Sequence, residues 1–308
     1  MYDAIVIGAR CAGASTAMLL AREGLDVLLV DRSSFPSEIP HGHFIHMHGP
    51  RRLAEWGVLD AVLATNCPPV TAFTLDLGDG PVAGIDLASG DVPLGLGPRR
   101  SQLDKVLVDA AVEAGAEFRE RFAVQELIEE DGRVGGVAGR DGREHARLVV
   151  GADGRNSALA RAVGAEAYEA VPALSCWYFS YWSGVESSGL ELYVHDERAV
   201  FTFPTNDDLM AVFAVWPIAE LPRVRADIEG AFMAVVDAVP AFAERLRDGR
   251  REERFYGATQ LPNFLRAPYG PGGRSSATPA ATRTRSWRSG SATRCATPSC
   301  SRMPPRRG

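Results

Sequence analysis

Apolar positions in the first thirty residues change period twice. Ala4, Ile5, Val6 and Ile7 form an unbroken apolar run that stops at Gly8, the pattern of a parallel strand buried on both faces. From Gly13 the spacing turns helical, with Ala14, Ala17, Met18 and Ala21 on one face and Arg22 and Glu23 at the far end, and Gly24 ends the helix. Residues 27–30 are a second apolar run, closed by Asp31. The pattern therefore predicts a strand, a glycine turn, a helix and a second strand.

Later segments carry other periods. Gly49-Pro50 starts a short helix over residues 51–56, with Leu53 and Trp56 facing inward. Residues 71–77 and 81–87 alternate apolar and polar side chains around Gly78-Asp79-Gly80, which predicts a hairpin of a second layer. A helix opens at Arg99-Arg100-Ser101, with Leu103, Val106, Leu107, Ala110, Ala111 and Ala114 as its buried stripe; Ser101 reads as its N-cap and Asp104 as the capping-box partner. Strands follow over 117–121, 123–128, 134–138 and 143–150, joined in part by Asp-Gly turns. Beyond Pro172, segments 174–183, 190–194, 199–203 and 209–216 are strand-like and rich in aromatic residues, and helices follow over 226–239 and 241–247.

The glycine turn is where chemistry enters. A helix N-terminus offers unpaired backbone N–H groups and the positive end of the dipole, so a pyrophosphate can settle there if no side chain blocks it. Small residues at Gly8, Ala12, Gly13 and Ala14 meet that need, and Asp31, 18 residues beyond Gly13, can accept ribose hydroxyls. Arg10 stands where the G-x-G-x-x-G pattern has its middle glycine. Cys11 also lies in the turn, either as a small residue that fits or as a thiol acidified by the helix dipole.

GARCAGA followed by VLLVDR resembles the flavin-binding start of FAD-dependent oxidoreductases of the group A flavoprotein monooxygenase (aromatic hydroxylase) and geranylgeranyl reductase-like superfamily, some branches of which carry Arg in place of the second glycine. Asp31 stands where Glu is commoner, and either acid can hold a ribose. LVVGADGRNS, ending at Ser157, matches the superfamily's second signature, and two signatures in order are far more specific than one glycine motif. The resemblance implies cofactor contacts from Gly8, Arg10, Cys11, Ala12, Gly13, Ala14, Asp31 and Arg32, from Arg100 at an RxxLD helix start, and from Asp153 and Gly154. Arg155 and Arg161 serve either cofactor phosphates or the surface. No catalytic acid or base is identifiable.

The implied fold class is α/β: a Rossmann-like FAD-binding domain, with a parallel sheet, helices and a β-meander, plus a smaller antiparallel-sheet substrate domain. The expected boundaries are 1–70 and 99–170 for the first, and 71–98 and 171–265 for the second. Trp177, Tyr178, Tyr181, Trp182, Tyr193 and Trp216 are candidates for an apolar substrate wall, with core packing as the competing explanation for most of them. The implied activity is that of an NAD(P)H-dependent monooxygenase with FAD, acting on a small aromatic or apolar substrate. Reduction of isoprenoid double bonds is the alternative, and a non-catalytic FAD-binding remnant is a third. A halogenase is less favoured, because Lys105 is the only lysine and sits in the flavin-proximal helix, and no WxWxIP stretch occurs.

Composition adds bounds. The chain has 308 residues, 46% of them apolar and 23% charged, enough for two domains. No apolar run is long enough to span a membrane and the chain runs directly into a strand, which reads as cytoplasmic. Cys11, Cys67, Cys176, Cys295 and Cys300 are odd in number and scattered, as reduced thiols are. His41, His43, His46 and His48 cluster, but lack Cys, Asp or Glu among them and match no zinc spacing, so metal binding is disfavoured and the resemblance instead brings this loop near the flavin ring.

The net charge of −6 is unevenly spread: residues 274–308 hold eight of the 33 basic residues and no acid, leaving 25 basic against 39 acidic residues elsewhere. Such a tail ordinarily suggests nucleic acid or membrane, and by composition is irregular and disordered. The resemblance implies a third flavin motif here, and the tail has none. Read one base earlier through codons ending in G or C, Arg274–Ala280 becomes Ala-Leu-Val-Gly-Asp-Ala-Gly, a motif of the missing kind. The expectation is a reading-frame error near Gly272, with no nucleic acid partner.

Overall fold

The computed structural model describes residues 1–37, 43–46, 48–82, 92–259, 261–270 and 273–275. The chain opens with β1 (Tyr2–Ile7), α1 (Cys11–Arg22) and β2 (Val27–Val30). Next come β3 (Ile45–His46), α2 (His48–Glu55), α3 (Leu59–Leu63), β4 (Pro69–Val70), β5 (Phe73–Asp76), β6 (Pro81–Val82) and β7 (Gly95–Leu96). Helix α4 (Arg100–Glu113) is followed by β8 (Glu117–Arg119), β9 (Glu126–Glu130), β10 (Arg133–Gly139), β11 (Gly142–Gly151), α5 (Ala158–Ala162) and β12 (Ala167–Val171). Strands β13 (Ser175–Ser183), β14 (Leu190–His195), β15 (Arg198–Pro204) and β16 (Met210–Pro217) lead to α6 (Leu221–Ala226), α7 (Ile228–Asp237) and α8 (Pro240–Asp248). Short strands end the described chain: β17 (Arg250–Arg251), β18 (Tyr256–Ala258), β19 (Asn263–Arg266), β20 (Tyr269–Gly270) and β21 (Gly273–Ser275).

The first sheet has the order β20-β21-β11-β1-β2-β8, parallel from β21 to β8 with β20 antiparallel at its edge, as expected of a sheet covered on both faces. β1 and β2 are apolar on both faces because α1 and α4 pack on one side while Phe122, Val134 and Val137 of the β9-β10-β11 region close the other. β9, β10 and β11 form the antiparallel meander, so the Rossmann-like α/β class is borne out.

The second sheet, β17-β13-β16-β15-β14-β5-β6 with β18 beside β13, is antiparallel except where β5 joins β14 in parallel. β5 and β6 form the expected hairpin, and residues 83–87 of its second arm lie outside the described residues. The helix expected over 226–239 is α7, and a further short helix, α6, precedes it; Asp227 separates the two, and its carboxylate accepts the Gly230 N–H to cap α7. Arg274 and Ser275, the first residues of the stretch expected to be irregular, form β21 with Gly273 beside β11; the rest of that tail lies outside the described residues.

Strand alternation sorts the aromatic residues, and core packing accounts for most of the six, as the competing explanation has it. Tyr178, Trp182, Tyr193 and Trp216 point to the side covered by α7 and α8, where Trp182 stacks on Phe232 at 5.4 Å and Tyr193 on Phe242 at 5.9 Å. They are core, not substrate wall. Trp177 and Tyr181 fall on the opposite face with Phe179, Phe203 and Phe213. Trp216→Ala should therefore cost about 3–5 kcal/mol in urea unfolding, from lost burial and the residual cavity, and leave FAD affinity of the folded protein unchanged. A change in affinity without loss of stability would return Trp216 to the wall.

Candidate functional site

Two backbone turns meet at the C-terminal ends of β1 and β11. Gly8, at φ +99°, donates its N–H to Val30 O at 2.8 Å, and a Cβ there would lie 2.5 Å from Ala152 O and 3.0 Å from Asp153 N. At Gly13 a Cβ would fall 1.7 Å from Gly8 O, so this glycine lets α1 close onto the strand end. Ala14 is fully buried behind it. The crossing needs small residues at these positions, whatever ligand is bound.

Both acids reach this crossing. Asp31 Oδ2 accepts the Ala9 N–H at 2.8 Å and Oδ1 the Ser33 N–H at 2.8 Å, which holds the carboxylate against the turn; Arg32 beside it is exposed. Asp153 Oδ2 accepts the N–H groups of Ala158 at 2.7 Å and Leu159 at 3.3 Å, capping α5, and Gly154 follows at φ +84°. Among the described residues, buried Asp153 Oδ1 has no partner, and neither does Arg100 Nε. Arg161 bonds Asn156 O at 2.8 Å, a local role.

The capping box expected at α4 is not formed. Arg99 occupies the N-cap without a side-chain bond, and Asp104, fully buried, turns to the neighbouring helix. It accepts Arg10 Nη1 at 2.9 Å, Arg100 Nη2 at 2.9 Å, and the Cys11 N–H and Sγ at 3.2 Å each. A lone buried carboxylate is costly, and two guanidiniums with a helix-start N–H offset that cost. The Cys11 thiol is accordingly pushed up to about 12, chiefly by burial, so the acidified-thiol alternative is overturned. Asp104 is the functional candidate that sequence reading missed; its i,i+4 spacing from Arg100 was the available signal.

A second network joins this region to the antiparallel sheet. His43 is 3% exposed, with Nδ1 at 3.0 Å from Gly97 O and Nε2 at 3.0 Å from the Tyr181 hydroxyl. A carbonyl can only accept, so Nδ1 carries the proton and Tyr181 donates to Nε2. The Arg99 guanidinium lies 4.3 Å above the Tyr181 ring and bonds Glu253 Oε1 at 2.6 Å. Thr205 and Asn206, both fully buried between β15 and β16, bond Gly97 O at 2.6 Å and the Arg99 N–H at 2.7 Å. His41 lies outside the described residues; His46 is on β3 and His48 begins α2.

With this geometry in place, the comparisons become decisive. A family model described as FAD binding domain matches residues 1–290. The chain belongs to the FAD binding domain family. Among curated relatives, FixC of Salmonella typhi is 31% identical over 173 residues, covering 53% of this chain and 39% of FixC. Rifampicin monooxygenase of Rhodococcus hoagii is 29% identical over 160 residues, 52% of this chain and 33% of that enzyme. The matched stretch thus spans well under two thirds of these relatives. In fold, the chain is similar to the myxobacterial chondrochloren halogenase CndH, with TM-score 0.77, 21% identity and coverage of 89% of this chain and 67% of that one. It is also similar to a geranylgeranyl bacteriochlorophyll reductase-like protein from Thermoplasma acidophilum, with TM-score 0.72, 18% identity, and 89% and 70% covered.

The residues of this FAD-binding chain fit the group. A turn that excludes side chains, a helix N-terminus, Asp31 with lone pairs to spare and the unpartnered Asp153 Oδ1 are what a dinucleotide with ribityl and ribose hydroxyls requires. Among the described residues no helix is long and apolar enough to cross a membrane.

Burial and the nearby Arg99 and Arg100 charges lower the His43 pKa to about 3. The folded pKa lies below the unfolded one, so between about pH 6.5 and 3 only the unfolded chain binds this proton, and stability is lost as the pH drops, by up to about 1.4 kcal/mol per unit. Urea melts of His43→Gln across this window should show a visibly shallower pH slope than wild type.

Proposed function

We propose that this is an FAD-dependent monooxygenase reduced by NAD(P)H, acting on a small aromatic or apolar substrate. The convergence of the Gly8–Ala14 turn, Asp31 and Asp153 supports the cofactor reading. The redox chemistry resides in the bound cofactor, and the chain's residues bind, orient and exclude water. Asp31 would hold the adenosine ribose, Asp153 Oδ1 a flavin-side hydroxyl, and Arg100 the anionic linkage. The substrate reading is supported by the aromatic character of the second sheet's other face, where Phe44 packs 4.9 Å from Phe203, Phe179 stacks on Phe213 at 4.6 Å and the Tyr181 hydroxyl is engaged by His43. Lys105 is paired with Asp109 on the exposed side of α4, which gives no support to a halogenase reading.

The same apolar face suits an isoprenoid chain, and the fold similarity to a reductase-like protein keeps that second reading in view. A non-catalytic remnant is the third, and β21 bears on it. Its backbone register sets Gly273 to Ser275 opposite Val149 to Gly151, so the frame-shifted motif would begin beside the strand that leads into Asp153. We propose that residues 274–308 are out of frame, so that this chain lacks a third flavin contact; resequencing that returns the same frame overturns this.

Titration with FAD, followed by flavin fluorescence quenching, is the first test. Asp153→Asn should weaken binding about 10- to 100-fold, the range for one hydrogen bond to a charged group. NADPH-dependent oxygen consumption stimulated by aromatic compounds separates the monooxygenase from the reductase. Protein that retains FAD but turns over neither class of substrate with NADPH leaves only the remnant.

A further inference from the structure

The G-x-G-x-x-G pattern leaves Arg10 as an anomaly, because a long cation replaces the glycine nearest the pyrophosphate position. Arg10 is the N-cap of α1 in extended backbone, and its guanidinium reaches both α4 and the segment 33–37. Nη1 bonds Asp104 of α4 at 2.9 Å, Nη2 donates to Ser37 Oγ at 3.1 Å, and the group lies 5.4 Å from the Phe35 ring centroid. Residues 33–37 are thereby fastened along their length. Asp31 accepts the Ser33 N–H at its start, Glu120 accepts the Phe35 N–H at 3.0 Å in its middle, and Arg10 takes Ser37 at its end.

We propose that Arg10 is a positioning residue for FAD: anchored on Asp104, it clasps the segment after Asp31 against the mouth of the glycine turn and so shapes the adenosine side of the site. Asp104 is what makes an arginine tolerable there. One of its oxygens takes the guanidinium and the other the Cys11 N–H at the start of α1. Two guanidiniums on one carboxylate also leave one positive charge beside that helix start, favourable to a pyrophosphate. The inference rests on the FAD reading above, and its test separates the two.

Arg10→Gly restores the usual glycine and leaves Asp104 still paired with Arg100, so the fold should hold. Amide hydrogen exchange of residues 33–37 in the FAD-free protein should quicken, and the FAD dissociation constant should rise about tenfold. Ser37→Ala, which removes one of the clasp's contacts, should move both readouts in the same direction by less. Affinity for FAD that is unchanged or improved in Arg10→Gly overturns the proposal, because Arg10 would then be only tolerated. Weaker binding with unaltered exchange at 33–37 also overturns it, in favour of a direct contact. If wild-type protein takes up no FAD, the functional reading fails, while exchange at 33–37 still decides whether the clasp exists.

Discussion

The approach of Gly8 to the Ala152 carbonyl is the constraint on which the site depends. With room for no Cβ between them, the ends of β1 and β11 meet backbone to backbone, and the two turns that follow share one mouth. α1 is drawn in behind by Gly13, which brings its first N–H groups to the same point. A methyl group at either glycine would push the strand end and the helix apart, and the acids on the two turns would no longer face one ligand. The parallel register of β1 with β11 and β2 sets their spacing, so the sheet serves as the ruler for Asp31 and Asp153.

Around this crossing, charge is arranged by burial. Asp104 has no exposure to water and must be neutralised, which it achieves by binding arginines from two helix starts. Burial, with a smaller contribution from the same carboxylate, raises the neighbouring thiol pKa and removes Cys11 from reactive chemistry. A second buried arrangement ties the sheet to the helix start: neutral His43 between Gly97 and Tyr181, with Arg99 over the phenol ring. The two networks are consecutive in sequence at Arg99 and Arg100, so the entry to α4 is held from both sides, by the glycine-turn helix and by the antiparallel sheet.

The antiparallel sheet divides its aromatic residues between two jobs. One face is stapled to α7 and α8 through Trp182, Tyr193 and Trp216, and fully buried Glu191 is paired there with Arg245 of α8 and with the Tyr193 hydroxyl. The other face presents Tyr181, Phe203 and Phe213 toward the loop bearing His43 and Phe44. Rigidity on the first face fixes the positions of residues on the second, because neighbouring positions on one strand point to opposite sides.

By itself the sequence determined the β1-α1-β2 unit, both flavin signatures and the meander, since each is written in local periods and in residues whose size alone decides the turn. Which face of the second sheet is core was not legible, because alternation yields two apolar faces and only the helices packed on one of them distinguish the two. Asp104 looked like a local cap at N3; its partners Arg10 and Cys11 are more than ninety residues away, and no local rule reports a contact made by the docking of two helices. Likewise the parallel pairing of β5 with β14, and the seat of His43 against Tyr181, were decided only by tertiary structure. Hydrogen-bond partners of buried polar groups are chosen by what burial brings near, and that depends on the whole chain.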